Sequence, residues 1–300
     1  MAKKKKESNR SKEFVVLHRN IKDYEIFDLR SNRPVCYKES KFDLNAASMV
    51  IQEIDTFEFS GQPKRSPNTF EFFAPNNIAL LLSIMQKSID RAKEIYLVHL
   101  NPDKFNHSFE NEKVNKKEKL YSNSKILYDY IEQIQSAIVF GYTALEAFTN
   151  LSIPNGYIYT SEKNGKGIQE VLDKDAIERW LSLKIKISNV LQEVYGTKGL
   201  TKLPVWSKFL KFEEMRHDII HQKSIQETDF YKLYLHRNIF DVCSSPIVII
   251  QYFYDSLEKK NSTNPIWPWI INREKTFPIS YDYQSDNFEV IGNIYEGRKK

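Results

Sequence analysis

Six consecutive residues, Arg216-His217-Asp218-Ile219-Ile220-His221, bring an arginine together with two of the six histidines of the chain. Imidazoles donate and accept protons near neutral pH, because the pKa of a free histidine is about 6.5. The planar guanidinium of arginine keeps its charge and binds two oxygens of a phosphate at once. These residue types together suit acid–base chemistry at a phosphodiester.

Helical geometry leaves two chemical interpretations of this segment open. On an α-helix, Arg216 and His221 lie about 7.5 Å apart along the axis and about 140° apart around it, so they border one groove. His217 and His221 share a face with Glu213, and histidines four residues apart can share a zinc ion. No other His or Cys motif supplies a further ligand, so we predict no metal and no cofactor. A helix whose Arg and His only form salt bridges with acidic neighbours is the structural alternative.

The clearest periodicity in the chain lies upstream of this segment. Apolar residues recur every three or four positions, as in one long amphipathic helix: Leu127, Ile131, Ile134, Ile138, Gly141, Leu145 and Phe148. The helix is expected to end near Ser152, before a proline and a glycine. On another face, Tyr142, Glu146 and Asn150 stand four residues apart and form either a solvent-facing row or a functional row.

Further helices are predicted downstream. A second helix is expected over Asp175–Tyr195, with Trp180 among its core residues, and a third from near Val205 through the Arg and His residues. Residues Thr228–Lys259 indicate one or two more, with a break near Ser245.

The N-terminal part has a different pattern, rich in β-branched and aromatic residues between turn-prone segments. The predicted strands are Phe14–Leu17, Tyr24–Leu29, Val35–Tyr37, Met49–Phe59 and Thr69–Phe73. A helix over Asn76–Tyr96 follows. The sequence thus predicts an α+β protein, with a β-rich N-terminal region followed by an all-α helical bundle.

The predicted organisation has five parts: a disordered basic tail at 1–12, a β-rich domain with a linking helix at 13–100, a linker at 101–119, a helical bundle at 120–260, and an extension at 261–300. The short strands of the extension are expected to pair with the N-terminal β region. The formal net charge is +5. Because the first 12 residues contain six Lys or Arg and one Glu, this charge belongs to the tail and the body is neutral.

Two other features bear on where the protein works. Cys36 and Cys243 are far apart and form no CxxC motif, so no disulfide framework is indicated and a reducing cytoplasm is expected. The most apolar run, Pro246–Ile250, is too short to cross a bilayer, and no membrane association is predicted.

The helical part, from about Leu120 to Lys260, resembles the HEPN superfamily. Ribonuclease members of that family carry an Arg, four to six residues and then a His near the start of a late helix in a small bundle. Arg216 and His221 enclose four residues. The segment Tyr142–Asn150 resembles the end of the family's long first helix, which often carries a Glu and an Asn facing the motif.

The resemblance implies a metal-independent endoribonuclease in which His221 is the acid or base and Arg216 binds the developing negative charge. His217 and Asp218 would support these groups or position RNA, and Glu146 or Asn150 would orient them. It also implies a homodimer with a composite active site, and a toxin or anti-phage role with an antitoxin or sensor partner. His217 departs from the small polar residue common after the family's Arg. A non-catalytic HEPN-like interaction module is the alternative.

Overall fold

The computed structural model describes residues 12–18, 22, 24–40, 42, 48–59, 68–105, 116–163, 165, 167, 169–222, 229–258, 268–271, 273, 277, 279–280, 288–293 and 297–298. The chain is a mixed α+β protein that divides into two compact units, Met1–Asn76 with Asn261–Lys300, and Asn77–Lys260. The predicted basic tail, apart from Lys12, lies outside the described residues.

The strands are β1 Lys12–His18, β2 Val35–Lys38, β3 Ser48–Phe59, β4 Asn68–Phe73, β5 Tyr159–Thr160, β6 Val171–Leu172, β7 Ile279–Ser280, β8 Phe288–Asn293 and β9 Gly297–Arg298. The helices are α1 Asn77–Ile95, α2 Lys116–Ser152, α3 Lys174–Trp180, α4 Leu183–Ile185, α5 Leu191–Val194, α6 Pro204–Ile220, α7 Ile239–Cys243 and α8 Ser245–Glu258. Wider π-helical turns follow α1 at Tyr96–Leu100 and join α4 to α5 at Lys186–Val190, and 3-10 turns cover Leu200–Lys202 and Asp229–Leu235.

The first unit is built on one sheet, in the order β7-β2-β3-β1-β8-β9, with β4 also pairing with β3. Strand β3 runs antiparallel to β1, β2 and β4. From the C-terminal region, β8 pairs with β1 and β7 with β2, both in parallel. The prediction that C-terminal strands return to the N-terminal β region is confirmed.

An aromatic cluster fills the core of this unit. Tyr24 stacks on Trp269 and meets Phe277 edge to face, while the guanidinium of the buried Arg33 lies 4.1 Å from the Trp269 ring centroid. The predicted strand Tyr24–Leu29 is wrong, because this segment forms no strand. Tyr24, Ile26 and Leu29 pack into the core, and the chain then turns as the Asp28 carboxylate accepts the Arg30 backbone N–H at 2.8 Å.

Helix α1 belongs to the helical unit, whereas the sequence pattern placed it in the β-rich domain. Its buried stripe, which includes Leu82, Met85 and Ile89, packs along α2, and the Ser88 hydroxyl donates to the Ser136 hydroxyl at 3.1 Å. An amphipathic helix buries its apolar face against whichever neighbour covers most of it, and periodicity alone does not identify that neighbour.

Gly141 lets three helices approach closely. A Cβ atom at this position would lie 2.6 Å from the Met85 sulfur on α1 and 3.2 Å from the Phe212 ring on α6. Gly141 was predicted as part of the apolar stripe of α2, and the absence of a side chain is what allows α1, α2 and α6 to meet there.

The second predicted helix is interrupted. The chain leaves α3 at Leu181 in an extended conformation, and the Ser182 hydroxyl accepts the Ile185 backbone N–H, which starts a new helix. Trp180 was predicted to be in the core, but it lies at the end of α3 with 76% of its surface exposed. The break at Ser182 changes the helical phase, so the apolar spacing across 175–195 does not describe one face.

Both cysteines are free and buried. In the part of the chain that the structure describes, no helix combines enough length and apolar character to cross a membrane.

Candidate functional site

The Arg and His residues lie at the C-terminal end of α6. Pro204 occupies the first turn of this helix, where a missing N–H costs nothing, and Phe209 and Phe212 bury its inner side. His221 is the residue that ends the helix, and its N–H still donates to the His217 carbonyl at 2.9 Å. The resemblance placed this motif near a helix start, whereas here it spans the last turn and the cap.

His217 and His221 contact each other at this end. Their ring centroids are 4.6 Å apart, with the ring planes tilted by 44°. Both residues are exposed, and among the described residues neither imidazole hydrogen-bonds to another protein group. The structure therefore presents two adjacent proton-carrying rings to solvent.

Arg216 faces another side of α6, toward α2. Its guanidinium carbon lies 4.6 Å from the centroid of the Tyr142 ring, a cation–π contact. The pKa of Tyr142 is raised to about 12, first by burial and then by the carboxylates of Glu146 and Glu213, while Arg216 acts in the opposite direction. Arg216, Tyr142, Glu146 and Glu213 thus form one polar cluster between α2 and α6.

Glu213 is held inside this cluster. Its carboxylate accepts a hydrogen bond from the Lys184 backbone. Burial raises the pKa of Glu213, and the positive charges of Lys184 and Arg216 partly offset that rise. Within the described ranges no three His, Cys, Asp or Glu residues form a group able to hold a metal. The Glu213, His217 and His221 stripe therefore lacks the geometry of a three-ligand site.

Asn150 and Glu146 lie beside a buried lysine that the sequence analysis missed. Lys186 is 1% exposed, and its ammonium donates to the Asn150 side-chain oxygen at 3.0 Å and to the Glu178 carbonyl at 2.9 Å. Burial lowers the pKa of Lys186, and the carboxylates of Glu146 and Glu178 oppose that shift. Asn150 therefore holds Lys186, and among the residues that the structure describes no hydrogen bond links Asn150 to the histidines.

One sequence signal could have revealed Lys186. It stands between Ile185 and Ile187, three residues after the buried Leu183 and four before the buried Val190. A charged residue on the apolar stripe of a helix is buried only when it is paired or hydrogen-bonded, so its spacing predicts polar partners on a neighbouring helix.

Asp218 points to a third side of α6. The pKa of Tyr234 is raised chiefly by burial, and the Asp218 carboxylate is among the groups that raise it further. This places Asp218 beside the 3-10 turn Asp229–Leu235, away from Tyr142. The six predicted site residues thus fall into an Arg216 and Glu146 cluster, a His217 and His221 pair, Asn150 on Lys186, and Asp218 alone.

Comparisons with known proteins add no relative. No protein-family model matches the chain, and neither a curated protein nor a solved structure matches it.

Proposed function

We propose that the chain is a metal-independent endoribonuclease of HEPN type, acting in a toxin or anti-phage role. The observation that carries the proposal is the exposed imidazole pair at the end of α6, 4.6 Å between ring centroids, next to an arginine fixed on Tyr142. Such a set offers proton transfer and phosphate binding without a metal ion.

The reaction is intramolecular transesterification of RNA. A histidine removes the proton of a 2′-hydroxyl, and the 2′-oxygen forms a bond to the adjacent phosphorus. The bond from phosphorus to the 5′-oxygen breaks as a second acid donates a proton to that oxygen. The products are a 2′,3′-cyclic phosphate and a 5′-hydroxyl, and Arg216 would bind the two non-bridging oxygens as negative charge develops.

The geometry of the pair favours a composite site. Attack and departure occur roughly in line at phosphorus, so the base and the acid must stand on opposite sides of it. His217 and His221 are in contact, which puts both on the same side of any phosphate that they touch. A second copy of the chain, meeting the first at this end of α6, would supply the opposing group and form the homodimer that the resemblance implies.

The cluster between α2 and α6 has a positioning role in this proposal. The guanidinium of Arg216 lies over the Tyr142 ring, and its N–H groups would bind a phosphate. Glu146 lies near both Tyr142 and Lys186, and the Lys186 ammonium balances its negative charge. Within the described ranges Arg216 forms no ion pair that would compete with RNA.

The test is cleavage of single-stranded RNA by purified protein in excess EDTA. We expect cutting that survives EDTA, yields cyclic phosphate ends, and is lost in Arg216→Ala and His221→Ala. His99→Ala is the matched control, because His99 is exposed and lies far from α6 in sequence. Full activity in a folded Arg216→Ala or His221→Ala protein would contradict the assignment, and activity that needs a divalent ion would favour a metal site.

The cellular role has its own test. Expression in bacteria should arrest growth, and the arrest should disappear with His221→Ala but persist with His99→Ala. Growth arrest that continues with His221→Ala would show that toxicity does not depend on the proposed catalytic histidine.

A second candidate function is a non-catalytic interaction module, which the exposed aromatic residues favour. On the β3–β4 hairpin, Phe57 stands opposite Phe70 and contacts Phe59, and these three are 54%, 58% and 53% exposed. Exposed apolar patches often mark interaction sites. Two results together would favour this function. The protein would neither cut RNA nor arrest bacterial growth, and a partner protein would bind it through Phe57 and Phe70.

A further inference from the structure

A cavity of about 310 Å³ lies between α6, the turn before α7, and α7 itself. The buried side chains of Met215 and Val242 line its apolar base. Lys211 and Glu214 reach it from α6, and His236 and Asn238 from the turn that leads into α7. Small-molecule sites typically combine this size and an apolar base with a few convergent polar groups.

The polar side chains that line this cavity form no side-chain hydrogen bonds or ion pairs within the described part of the chain. In the described residues no hydrogen bond or ion pair occupies the side chain of Lys211, Glu214 or His236. Asn238 stands at the residue before α7, where an Asn side chain commonly caps the helix, yet it makes no cap hydrogen bond. Four polar side chains with open hydrogen-bonding capacity therefore surround one apolar cavity.

Ion pairs join the two walls of the cavity and its surroundings. The Lys208 ammonium on α6 lies 2.8 Å from the Asp241 carboxylate on α7. Next to the cavity, Arg237 binds both carboxylate oxygens of Asp103 at 2.7 and 2.8 Å. The first contact joins α7 to the helix that carries Lys211 and Glu214, and the second holds the turn that carries His236 and Asn238 against the residues that follow Leu100.

The cavity lies on the approach to the histidines. Glu214 is three residues before His217 and seven before His221, so the three share one stripe of α6 and Glu214 is about 10 Å from His221 along the axis. A nucleotide strand whose phosphate contacts the histidine pair would therefore have a neighbouring nucleotide within reach of the cavity.

We infer that this cavity binds one unpaired nucleobase of the RNA substrate and selects a base with an exocyclic amino group. The inference rests on the proposed function and names the specificity of that site. Single-stranded RNA is read by stacking bases on ring or planar side chains and hydrogen-bonding their edges. His236 supplies a stacking surface, Asn238 an amide for the base edge, and Lys211 a cation for the adjoining phosphate.

Glu214 determines the choice of base. Its carboxylate only accepts hydrogen bonds, so it favours cytosine, adenine and guanine, which each carry an exocyclic amino group, over uracil, which carries only carbonyl oxygens outside its ring. A hydrogen bond to a charged group contributes about 1.5–3 kcal/mol, which is tenfold or more in affinity. Cytidine and uridine give the most direct comparison, because cytosine carries an amino group at position 4 and uracil carries a carbonyl oxygen there.

The experiment measures binding of the four nucleoside 5′-monophosphates to His221→Ala protein by NMR titration. Because this measurement needs no cleavage, its result is separate from that of the cleavage assay. We expect CMP, AMP and GMP to bind at least about tenfold more tightly than UMP. Glu214→Gln should bring CMP and UMP to similar affinities, because an amide also donates to the uracil carbonyl.

Two further variants complete the design. Asn238→Ala should weaken binding of all four nucleotides, and Glu118→Gln, an exposed acid on α2, should change nothing. Equal affinities for CMP and UMP in the parent protein, no binding of any nucleotide, or unchanged selectivity in a folded Glu214→Gln protein would each overturn the inference. Cleavage of RNA without base preference would leave the ribonuclease proposal standing and refute this one.

Discussion

The two sides of the last turn of α6 differ in how the protein holds them. Arg216 is packed on Tyr142 and bordered by Glu213, with its surroundings supplied by α2 and the α4–α5 segment. His217 and His221 are exposed and contact each other. Side chains five residues apart on one helix therefore occupy opposite environments, one anchored by neighbouring helices and one open to solvent.

This difference matches the chemistry that each side would perform. A phosphate clamp must stand ready in one geometry, because electrostatic stabilisation is effective when it is preorganised. Proton carriers must instead reach both substrate and water. The anchored side is complete within one chain, whereas the open side acquires its final surroundings only when RNA or a second copy covers it.

The largest expected effect comes from the open side. His221→Ala should lower cleavage by at least about 100-fold, because positioned acids and bases contribute about 10²–10⁴ in rate. Adding His217→Ala should lower it little further, because groups that act as a unit are not additive. Single-turnover rates of the two single variants and the double variant measure this. A second large drop in the double variant would show that the histidines act independently.

The next largest effect is expected on stability, when the buried Lys186 near the Arg216 cluster is removed. Lys186→Ala leaves the Asn150 oxygen and the Glu178 carbonyl without their buried donor. Each unsatisfied buried group costs about 1–3 kcal/mol, so the free energy of unfolding should fall by about 2–6 kcal/mol. Urea unfolding followed by circular dichroism measures it, with the exposed Lys202→Ala as control. Equal stability of the two variants would show that Lys186 is not structurally important.

A smaller effect is expected at the contact that positions Arg216. Tyr142→Leu removes the ring and should reduce cleavage by about 2- to 30-fold, since a cation–π contact contributes about 0.5–2 kcal/mol. Tyr142→Phe keeps the ring and should retain activity. The pair of variants separates the ring from the hydroxyl, and a loss in Tyr142→Phe equal to that in Tyr142→Leu would assign the role to the hydroxyl instead.

The smallest effect concerns pH. Burial raises the pKa of Glu213 above its ordinary value of 4.5, so the folded state binds a proton more tightly than the unfolded state. The stability that this group contributes is present below pH 4.5 and is lost as the pH rises through the raised pKa. Glu213→Gln should flatten this part of the stability profile in urea unfolding. An unchanged slope would show that Glu213 is not the group responsible.

Local patterns predicted the elements well where a single face is buried. The stripe from Leu127 to Phe148 predicted α2, and apolar spacing predicted α1 and the start of α6 near Val205. The N-terminal strands, apart from Tyr24–Leu29, lie where alternation placed them. These features depend on residues within one element, so they can be read without knowing its neighbours.

Contacts between different elements were harder to predict from the sequence. The burial of Lys186 depends on Asn150 and Glu178, which belong to two other helices. The contact between Arg216 and Tyr142 requires the close approach that Gly141 permits. Trp180 was misplaced because the break at Ser182 depends on one hydroxyl group. The candidate residues were chosen from their types, and only the tertiary structure shows how they group.

The parallel pairing of β1 with β8 has a consequence for how this chain is made. The helical unit lies between the two portions of the β unit in sequence, so its last residue, Lys260, is synthesised before Phe288, where β8 begins. Until Trp269, Phe277 and β8 follow, the early strands lack part of their core and one neighbour. Pairing of such distant segments is slow to form. The ribosome would therefore release a helical unit able to fold before the sheet can be completed.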